Sequence, residues 1–344
     1  MEQEIVFHYV WSRDGETLFY GASDWTGNTI KTVDVDTGTV STVKAFEGEC
    51  TPVYLSLSED ELFVAEERDL GEKTGATLWK ITLSTGDAYE IWHVPENCRC
   101  GFGGSFSPDG LFVYRAVERN AQYDLVKLDL AIGEETVLCT LPTISWIAIS
   151  HDAQHLAFSD GNRLHVMKSD GGSPLCVTDL CEQLGEIEWS PDDQWISYHK
   201  RDDSEYRQIF KLHPDGGPEI QVTDDMGWHD GLGWSEDGTR FVFSKAVPGC
   251  AHEICIVDAE GGREIPLTAY TSVNPYSFGP DAWVPSWSPK GDRIAYIRTI
   301  YGKADALCVV EPEAADTAIF CREAIVRTKV SFFSLLSTLF KLKP

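Results

Sequence analysis

The sequence is poor in basic residues and lacks the short motifs that mark the common enzyme classes. Lysine and arginine number 28 against 55 aspartates and glutamates, a formal net charge of −27 over 344 residues. Nucleic-acid-binding surfaces need a basic footprint, so this balance excludes nucleic acid as a general partner. No P-loop, dinucleotide-binding glycine fingerprint, His-Glu-x-x-His helix or Gly-x-Ser-x-Gly nucleophile turn is present. These absences favour a binding module over an enzyme.

Signals for export, membrane insertion and structural zinc are missing as well. No basic stretch with an apolar core precedes Trp11, and the apolar run at residues 330–340 is too short to span a bilayer. The ten cysteines never form a paired C-x-x-C spacing, although Cys250 and His252 are one pair to test for metal. We therefore expect a cytoplasmic protein with no cofactor and no transmembrane segment, or a periplasmic or secreted one if a leader is missing.

One short phrase, repeated seven times, dominates what the sequence does contain. An aromatic or aliphatic residue is followed by Ser, a variable residue, Asp or a substitute, and in several copies Gly. The repeated serines, which stand 40 to 53 residues apart, are Ser12, Ser58, Ser107, Ser150, Ser190, Ser235 and Ser288. A period in this range, filled with short strands, is typical of a β-propeller with one four-stranded blade per repeat.

The phrase itself has the composition of a β-turn, in which Pro presets φ, Asp bonds nearby backbone and Gly accepts positive φ. Runs of β-branched and aromatic residues follow it, as at residues 111–114 and 241–243. A second turn rich in glycine follows in most units, as at Gly171 and Gly172. Four strands in seven copies predict an all-β fold, a seven-bladed β-propeller of four-stranded antiparallel blades over residues 1–320.

The way in which the ring closes is predicted from the two ends of the chain. Residues 5–10 lead directly into the first phrase and predict the innermost strand of blade one, whereas residues 317–320 predict the fourth strand of blade seven. Closure should therefore rest on packing between the first and last blades. Residues 321–344 lose the repeat and predict a C-terminal tail: a short docked helix, a disordered end, or an amphipathic helix that touches a membrane or partner.

The repeat resembles that of the TolB-like, WD40-like propellers. The resemblance is carried by residues 209–243, with Gly216 and Gly217 in the outer turn, Thr223 after the fourth strand and Trp234 in the next phrase. It extends over nearly the whole chain, from about residue 5 to residue 320. It implies the propeller fold and little about function, because function lies in sites grafted on folds. TolB's signal peptide and leading α/β domain find no counterpart before Trp11, so only the repeat carries over.

A weaker resemblance links the first blade to oligogalacturonate lyases. Residues 9–15, with Leu18 and Gly21 after them, are similar to the opening blade of these manganese-dependent enzymes, which cleave pectic oligomers by β-elimination. The resemblance implies metal ligands, a Gln and closely spaced histidines, just before the innermost strand of the last blade. The matching residues 279–287 contain neither, and Ala282 and Val284 stand at ligand positions. Manganese is therefore expected only under this alternative.

One rim of the channel is predicted to carry the ligand. The loops between strands two and three of each blade, and those leading into the innermost strands, share that rim. Aromatic side chains there can stack on sugar rings and arginines can hold carboxylates, unless they simply pack blades together. The candidate ligand-binding residues are Arg99, Tyr206, Trp228, His229, Asp230, Trp283 and Arg298. We predict a monomeric binding or scaffolding module for a protein or carbohydrate ligand, with a polysaccharide lyase acting on acidic oligosaccharides as the alternative.

Overall fold

Seven antiparallel sheets, arranged as the blades of a propeller, account for all the strands of the structure, which is a computed structural model. The structure describes residues 5–24, 27–55, 60–69, 74–93, 104–178, 184–201, 206–246, 252–268, 281–299 and 306–312. In this part of the chain six sheets have four strands and the last has three, each in chain order. The prediction of a seven-bladed all-β propeller is confirmed. The predicted fourth strand of blade seven, at residues 317–320, and the tail lie outside the described residues.

The strands follow the repeat closely. Blades one and two contain β1 (Ile5–Trp11), β2 (Thr17–Asp24), β3 (Gly27–Asp34), β4 (Val40–Phe46), β5 (Glu49–Leu55), β6 (Glu61–Asp69), β7 (Thr74–Thr82) and β8 (Ala88–His93). Blades three and four contain β9 (Gly104–Phe106), β10 (Phe112–Arg119), β11 (Gln122–Asp129), β12 (Glu135–Leu141), β13 (Ser145–Ile149), β14 (His155–Ser159), β15 (Leu164–Lys168) and β16 (Leu175–Cys176).

The remaining three blades complete the set. Blades five and six contain β17 (Ile187–Trp189), β18 (Ile196–Arg201), β19 (Arg207–Leu212), β20 (Ile220–Gln221), β21 (Trp228–Trp234), β22 (Arg240–Ala246), β23 (His252–Asp258) and β24 (Ile265–Pro266). Blade seven contains β25 (Asp281–Trp287), β26 (Ile294–Thr299) and β27 (Ala306–Val310).

The repeated serine forms the turn between the first two strands of a blade, as predicted. The Ser12 hydroxyl donates to Asp14 Oδ1 at 2.6 Å, and its oxygen accepts the Thr17 N–H at 2.8 Å. The other described copies use the same kind of contact; their serines are Ser107, Ser150, Ser190, Ser235 and Ser288, and Ser58 lies outside the described residues. The short side-chain bonds explain why Ser and Asp recur in the phrase.

In several blades the aromatic residue before that serine ties the blade to the preceding one. The Trp189 indole N–H donates to the Ala148 carbonyl at 3.1 Å, and the Trp234 indole N–H donates to Ser197 Oγ at 2.8 Å. Buried apolar side chains fill the space between adjacent sheets, so the core is divided into inter-blade clusters. The phrase therefore sets both the turn and the spacing between neighbouring blades.

Blade one packs against blade seven in the same way. The hydroxyl of Tyr9 lies 2.5 Å from the carbonyl oxygen of Val284 and 2.6 Å from that of Ala295. The Trp11 indole N–H donates to Ser286 Oγ at 3.1 Å. Apolar side chains from both blades, on β1, β2 and β3 and on β26 and β27, form one buried cluster. These contacts bring the two ends of the ring together, as the packing prediction requires.

Candidate functional site

The innermost strands, which surround the channel, are irregular in most blades. Among the described strands, β1, β5, β13, β21 and β25 each lose register with their neighbour near the start of the blade. Such β-bulges turn a side chain away from its regular direction. The extra residues Trp146, Gly231 and Val284 adopt φ of 45°, 64° and 49°. The bulges give this end of the channel its shape.

Trp146 stands out among these bulge residues. Its φ of 45° lies in the left-handed region, where a bulky side chain is disfavoured. Its side chain nevertheless remains 49% exposed, so burial of the indole does not offset the backbone strain. Strain of this kind persists where the surrounding structure requires it, and it is concentrated at functional sites. Trp146 is therefore the first side chain to consider for a ligand contact.

A cavity of about 490 Å³ opens beside Trp146, between the inner ends of blades three to six. Its wall combines the aromatic side chains of Tyr123 and Trp146, aliphatic side chains such as Leu232, and the carboxyl groups of Glu186 and Glu188. A volume of this size suits a small ligand, and mixed apolar and polar walls are usual for binding pockets. We call this cavity the channel pocket.

Glu186 precedes β17 and faces a set of charged neighbours from blades five and six. Although 37% of its side chain remains accessible, it lies within the channel wall, and its loss of hydration, reinforced by the negative charge of Asp230, raises its pKa to about 7. The positive charge of Arg207 opposes this rise. The buried His199 ring lies close by, with Nδ1 3.6 Å from Glu186 Oε2. Burial lowers the pKa of His199 to about 3, so this ring is neutral.

Glu188 lies two residues further along, on β17. Burial raises its pKa to about 8, and the neighbouring charge of Glu186 adds to the rise. Its Oε2 accepts the backbone N–H of Trp234 at 3.1 Å, which opposes the shift only in part. Two carboxyl groups with pKa values near neutrality in one cavity are a recognised sign of a functional site.

Four of the residues predicted from sequence meet around Arg207 in the seam between blades five and six. The guanidinium of Arg207 forms an ion pair with Asp230. The Tyr206 ring meets the Trp228 ring edge-on at 6.4 Å, and the Arg201 guanidinium lies 5.3 Å above the same indole. The structure thus brings Tyr206, Trp228 and Asp230 together. Their contacts pack the seam, which is the alternative the sequence left open.

His229, the fourth residue of this group, is fully buried in the seam. Its Nδ1 donates to the Arg207 carbonyl at 2.8 Å, and its Nε2 lies 3.0 Å from Glu264 Oε1. Both ring nitrogens therefore face oxygen atoms of the protein. Glu264 in turn accepts from Lys245 Nζ at 2.6 Å. A ligand would have to displace these partners to reach His229.

The remaining predicted residues belong to blade seven or fall outside the described part of the chain. Trp283 lies on β25, where its ring centroid is 4.2 Å from that of His252. Arg298 lies on β26, opposite Ala282 and Ala306. Arg99 lies outside the described residues. The sequence placed Trp228, His229, Asp230, Trp283 and Arg298 in or beside loops, and the structure places them at the loop-facing ends of β21, β25 and β26.

Sequence reasoning missed Trp146, Glu186 and Glu188, which form the channel pocket. The two glutamates carried a usable signal, because they alternate with Ile187 just before the fifth repeat of the phrase. Polar residues at alternate positions of an innermost strand face one side together, here towards β21 of blade six. Trp146 carried no comparable signal, since its direction depends on the bulge in β13.

The residues at the positions implied for manganese do not fit that ion. Ala282 is buried and Val284 is 41% exposed, and neither side chain offers a donor atom. Within the described ranges, no three His, Cys, Asp or Glu side chains group as a metal site would require. Burial raises the pKa of the Cys255 thiol well above its usual range, which disfavours the thiolate that binds metals. Cys250, which the sequence paired with His252 as a candidate for metal binding, lies outside the described residues.

Fold and site together define a seven-bladed propeller with a pocket at one end of its channel. No protein-family model matches the chain. The uncharacterized protein Atu1656 of Agrobacterium fabrum is 26% identical over 217 residues, which cover 60% of this chain and 68% of that protein. In the described part of the chain, no helix has the length and apolar character needed to cross a membrane.

Solved structures support the same architecture. An oligogalacturonate lyase in complex with manganese superposes with a TM-score of 0.73 at 17% identity, covering 91% of both chains. TolB from Acinetobacter baumannii superposes with a TM-score of 0.52 at 15% identity, covering 91% of this chain and 62% of its own. At these identities the likeness establishes the fold. The two resemblances stated from sequence are thereby confirmed at the level of the propeller.

Proposed function

We propose that this propeller is a binding module that takes its ligand in the channel pocket. The observation that carries the proposal is Trp146, an exposed indole held at a strained bulge on the wall of a cavity of about 490 Å³. An exposed aromatic face offers stacking or apolar contact to a ligand, and the two carboxyl groups opposite offer hydrogen bonds that orient it. A side chain of a protein partner or a sugar unit has dimensions suited to this space.

The first prediction concerns Trp146. The Trp146→Ala variant should lose at least about tenfold in affinity for any ligand found in a screen, since removal of a stacked aromatic group costs about 1–3 kcal/mol. The screen would use saturation-transfer NMR against neutral oligosaccharides, short peptides and small amines. The midpoint of thermal unfolding should stay within a few degrees of the wild-type value, because the exposed indole contributes little to the core.

A matched variant separates the channel pocket from the site predicted by sequence. Trp228→Ala removes an indole that packs against Tyr206 and Arg201 in the seam. We expect this variant to lower the unfolding midpoint while it retains the ligand. Loss of binding in Trp228→Ala with full binding in Trp146→Ala would move the ligand to the rim around Trp228 and overturn the assignment.

The second prediction tests the lyase alternative. Ala282 and Val284 stand at the positions implied for manganese. Both ring nitrogens of His229 already contact Arg207 and Glu264. Purified protein supplied with manganese should therefore show no metal-stimulated rise in ultraviolet absorbance with pectic oligomers. A manganese-dependent rate that is abolished by chelation and restored by added metal would establish the lyase. His229→Ala is a poor probe for this purpose, because loss of so buried a group would also unfold the blade.

A further inference from the structure

The charged side chains described in the lining of the channel pocket are all acidic. Among the described residues that line it, Glu186 and Glu188 are the charged ones, and the others are aromatic, aliphatic or hydroxyl-bearing. The protein as a whole carries a formal charge of −27, so its wider field also attracts cations. The pocket therefore has walls for an apolar body and two fixed positions for positively charged groups.

The two carboxyl groups are only partly satisfied from within the protein. In the described part of the chain Glu188 accepts one backbone N–H, from Trp234, and forms no ion pair. Glu186 accepts the backbone N–H groups of Gly231 and Leu232 and has the neutral His199 ring beside it, while the nearby Arg207 is already paired with Asp230. Within the same residues, the buried Nε2 of His199 has no hydrogen-bond partner. A carboxylate has about four acceptor positions, so both groups keep acceptor capacity for a bound molecule.

The spacing of the carboxyl groups limits the shape of such a molecule. Residues i and i+2 of a strand lie about 7 Å apart and face the same side. An alkane chain of about five carbons places terminal ammonium groups at a comparable separation. Its methylene groups would run along the apolar wall of Trp146, Ile147 and Leu232.

We propose, on the basis of the binding function above, that the channel pocket binds a primary aliphatic ammonium ligand. The ammonium groups contact Glu186 and Glu188, and the methylene chain lies on the indole of Trp146. A free diamine and the lysine side chain of a partner protein share this chemistry. Acidic oligosaccharides are disfavoured, because their carboxylates would meet two acidic groups with no cation in the described lining to balance them.

The proposal predicts a pH dependence of binding. Glu186 faces Asp230, Arg207 and His199, and Glu188 faces Glu186 and the Trp234 N–H. Since these surroundings hold both carboxyl groups largely protonated below pH 7, an ammonium group must compete with protons. The affinity for an ammonium should rise at least tenfold between pH 6 and pH 8.5, a range in which alkyl amines stay charged because they titrate near pH 10.

Three probes of equal length test the chemistry by titration calorimetry: pentane-1,5-diamine, pentane-1,5-diol and glutarate. We expect the diamine to bind at least tenfold more tightly than the diol, and glutarate to show no heat of binding. Nα-acetyl-lysine methylamide, compared with the diamine, distinguishes a lysine side chain from a free diamine as the natural source. Tighter binding of either one supports the proposal.

Variants assign the effect to the pocket. Glu188→Gln and Glu186→Gln should each weaken diamine binding at least tenfold at pH 8 and flatten its pH dependence. Glu236→Gln, in an exposed turn, removes the same unit of net charge outside the pocket and should change affinity less than twofold. A diamine affinity that is unchanged in Glu188→Gln would overturn the proposal.

Failure of this inference can be told apart from failure of the binding function. A diol or neutral sugar that binds as tightly as the diamine, and that is lost in Trp146→Ala, overturns the ammonium proposal and leaves the channel pocket as a binding site. If no probe binds at any pH between 6 and 8.5, the ammonium proposal falls whatever the screen of other ligands returns.

Discussion

Replacement of Glu188 by glutamine is expected to raise the free energy of unfolding at pH 8.5 by on the order of 5 kcal/mol, since each unit of its raised pKa is worth about 1.4 kcal/mol. Burial raises the pKa of Glu188 from its ordinary value of 4.5 to about 8, so the folded protein holds a proton that the unfolded chain releases. Wild-type stability should therefore fall as the pH rises from about 4.5 towards 8. Glutamine keeps the acceptor for the Trp234 N–H and carries no charge.

The measurement is urea-induced unfolding of both proteins at pH 4.5 and pH 8.5. The two free energies of unfolding should be similar at pH 4.5 and diverge at pH 8.5, with the variant the more stable. Glu236→Gln serves as the charge-matched control and should differ by less than about 0.5 kcal/mol at either pH, as surface substitutions usually do. An equal difference for Glu188→Gln at both pH values would show that the carboxyl group is not held protonated.

A gain in the stability of Glu188→Gln would bear on the function of Glu188. A group that destabilises the folded protein at neutral pH is retained where binding or catalysis needs it. A variant that is more stable and binds the diamine less well would show both sides of this balance at Glu188. The stability measurement does not depend on the identity of the ligand.

Replacement of Glu264 by alanine is expected to lower the free energy of unfolding by about 3 to 5 kcal/mol, because it leaves the Lys245 ammonium and the buried His229 ring without their carboxylate. Glu264 is 4% exposed and lies between His229 Nε2 at 3.0 Å and Lys245 Nζ at 2.6 Å. Burial opposes its ionisation, but the hydrogen bonds and charges of His229 and Lys245 outweigh burial and lower its pKa. Glu236→Ala, in an exposed turn, should have a small effect.

The pH dependence of this effect follows from the lowered pKa of Glu264. Its stabilisation is fully present above the unfolded value of about 4.3 and is lost as the pH falls through the folded pKa. The difference in unfolding free energy between wild type and Glu264→Gln should therefore shrink below about pH 4. If Glu264→Ala unfolds at the same urea concentration as the wild type at pH 7, the seam between blades five and six does not rest on this network.

The blades could be predicted from sequence because each one repeats the same local chemistry. Ser and Asp form the same short bond in the described turns, from Ser12 with Asp14 to Ser235 with Asp237. Even the two copies without glycine whose turns are described keep the turn, because Ala153 and Asp193 adopt the positive φ in its place. Local signals repeated seven times leave little freedom for another architecture.

The candidate site was predicted less well. The position of a residue within the repeat shows at which end of the blade it lies, but it does not show which residues its side chain contacts. Trp228 and Asp230 do lie at the predicted ends of their strands, yet their described contacts are with Arg201, Tyr206 and Arg207 of the preceding blade. His229, a candidate ligand-binding residue in the sequence, is fully buried between two blades. These contacts join residues about twenty positions apart, and no local pattern encodes them.

The sequence by itself determined the number of blades, the turns and the acidic surface, since each of these depends on residues close together in the chain. Only the tertiary structure decided which side chains share the channel pocket. The bulge in β13 places the Trp146 side chain on the wall of the channel pocket. The packing of blades five and six raises the pKa values of Glu186 and Glu188. Both effects depend on how strands that are far apart in sequence pack together and exclude water. The candidate site therefore arises from tertiary packing.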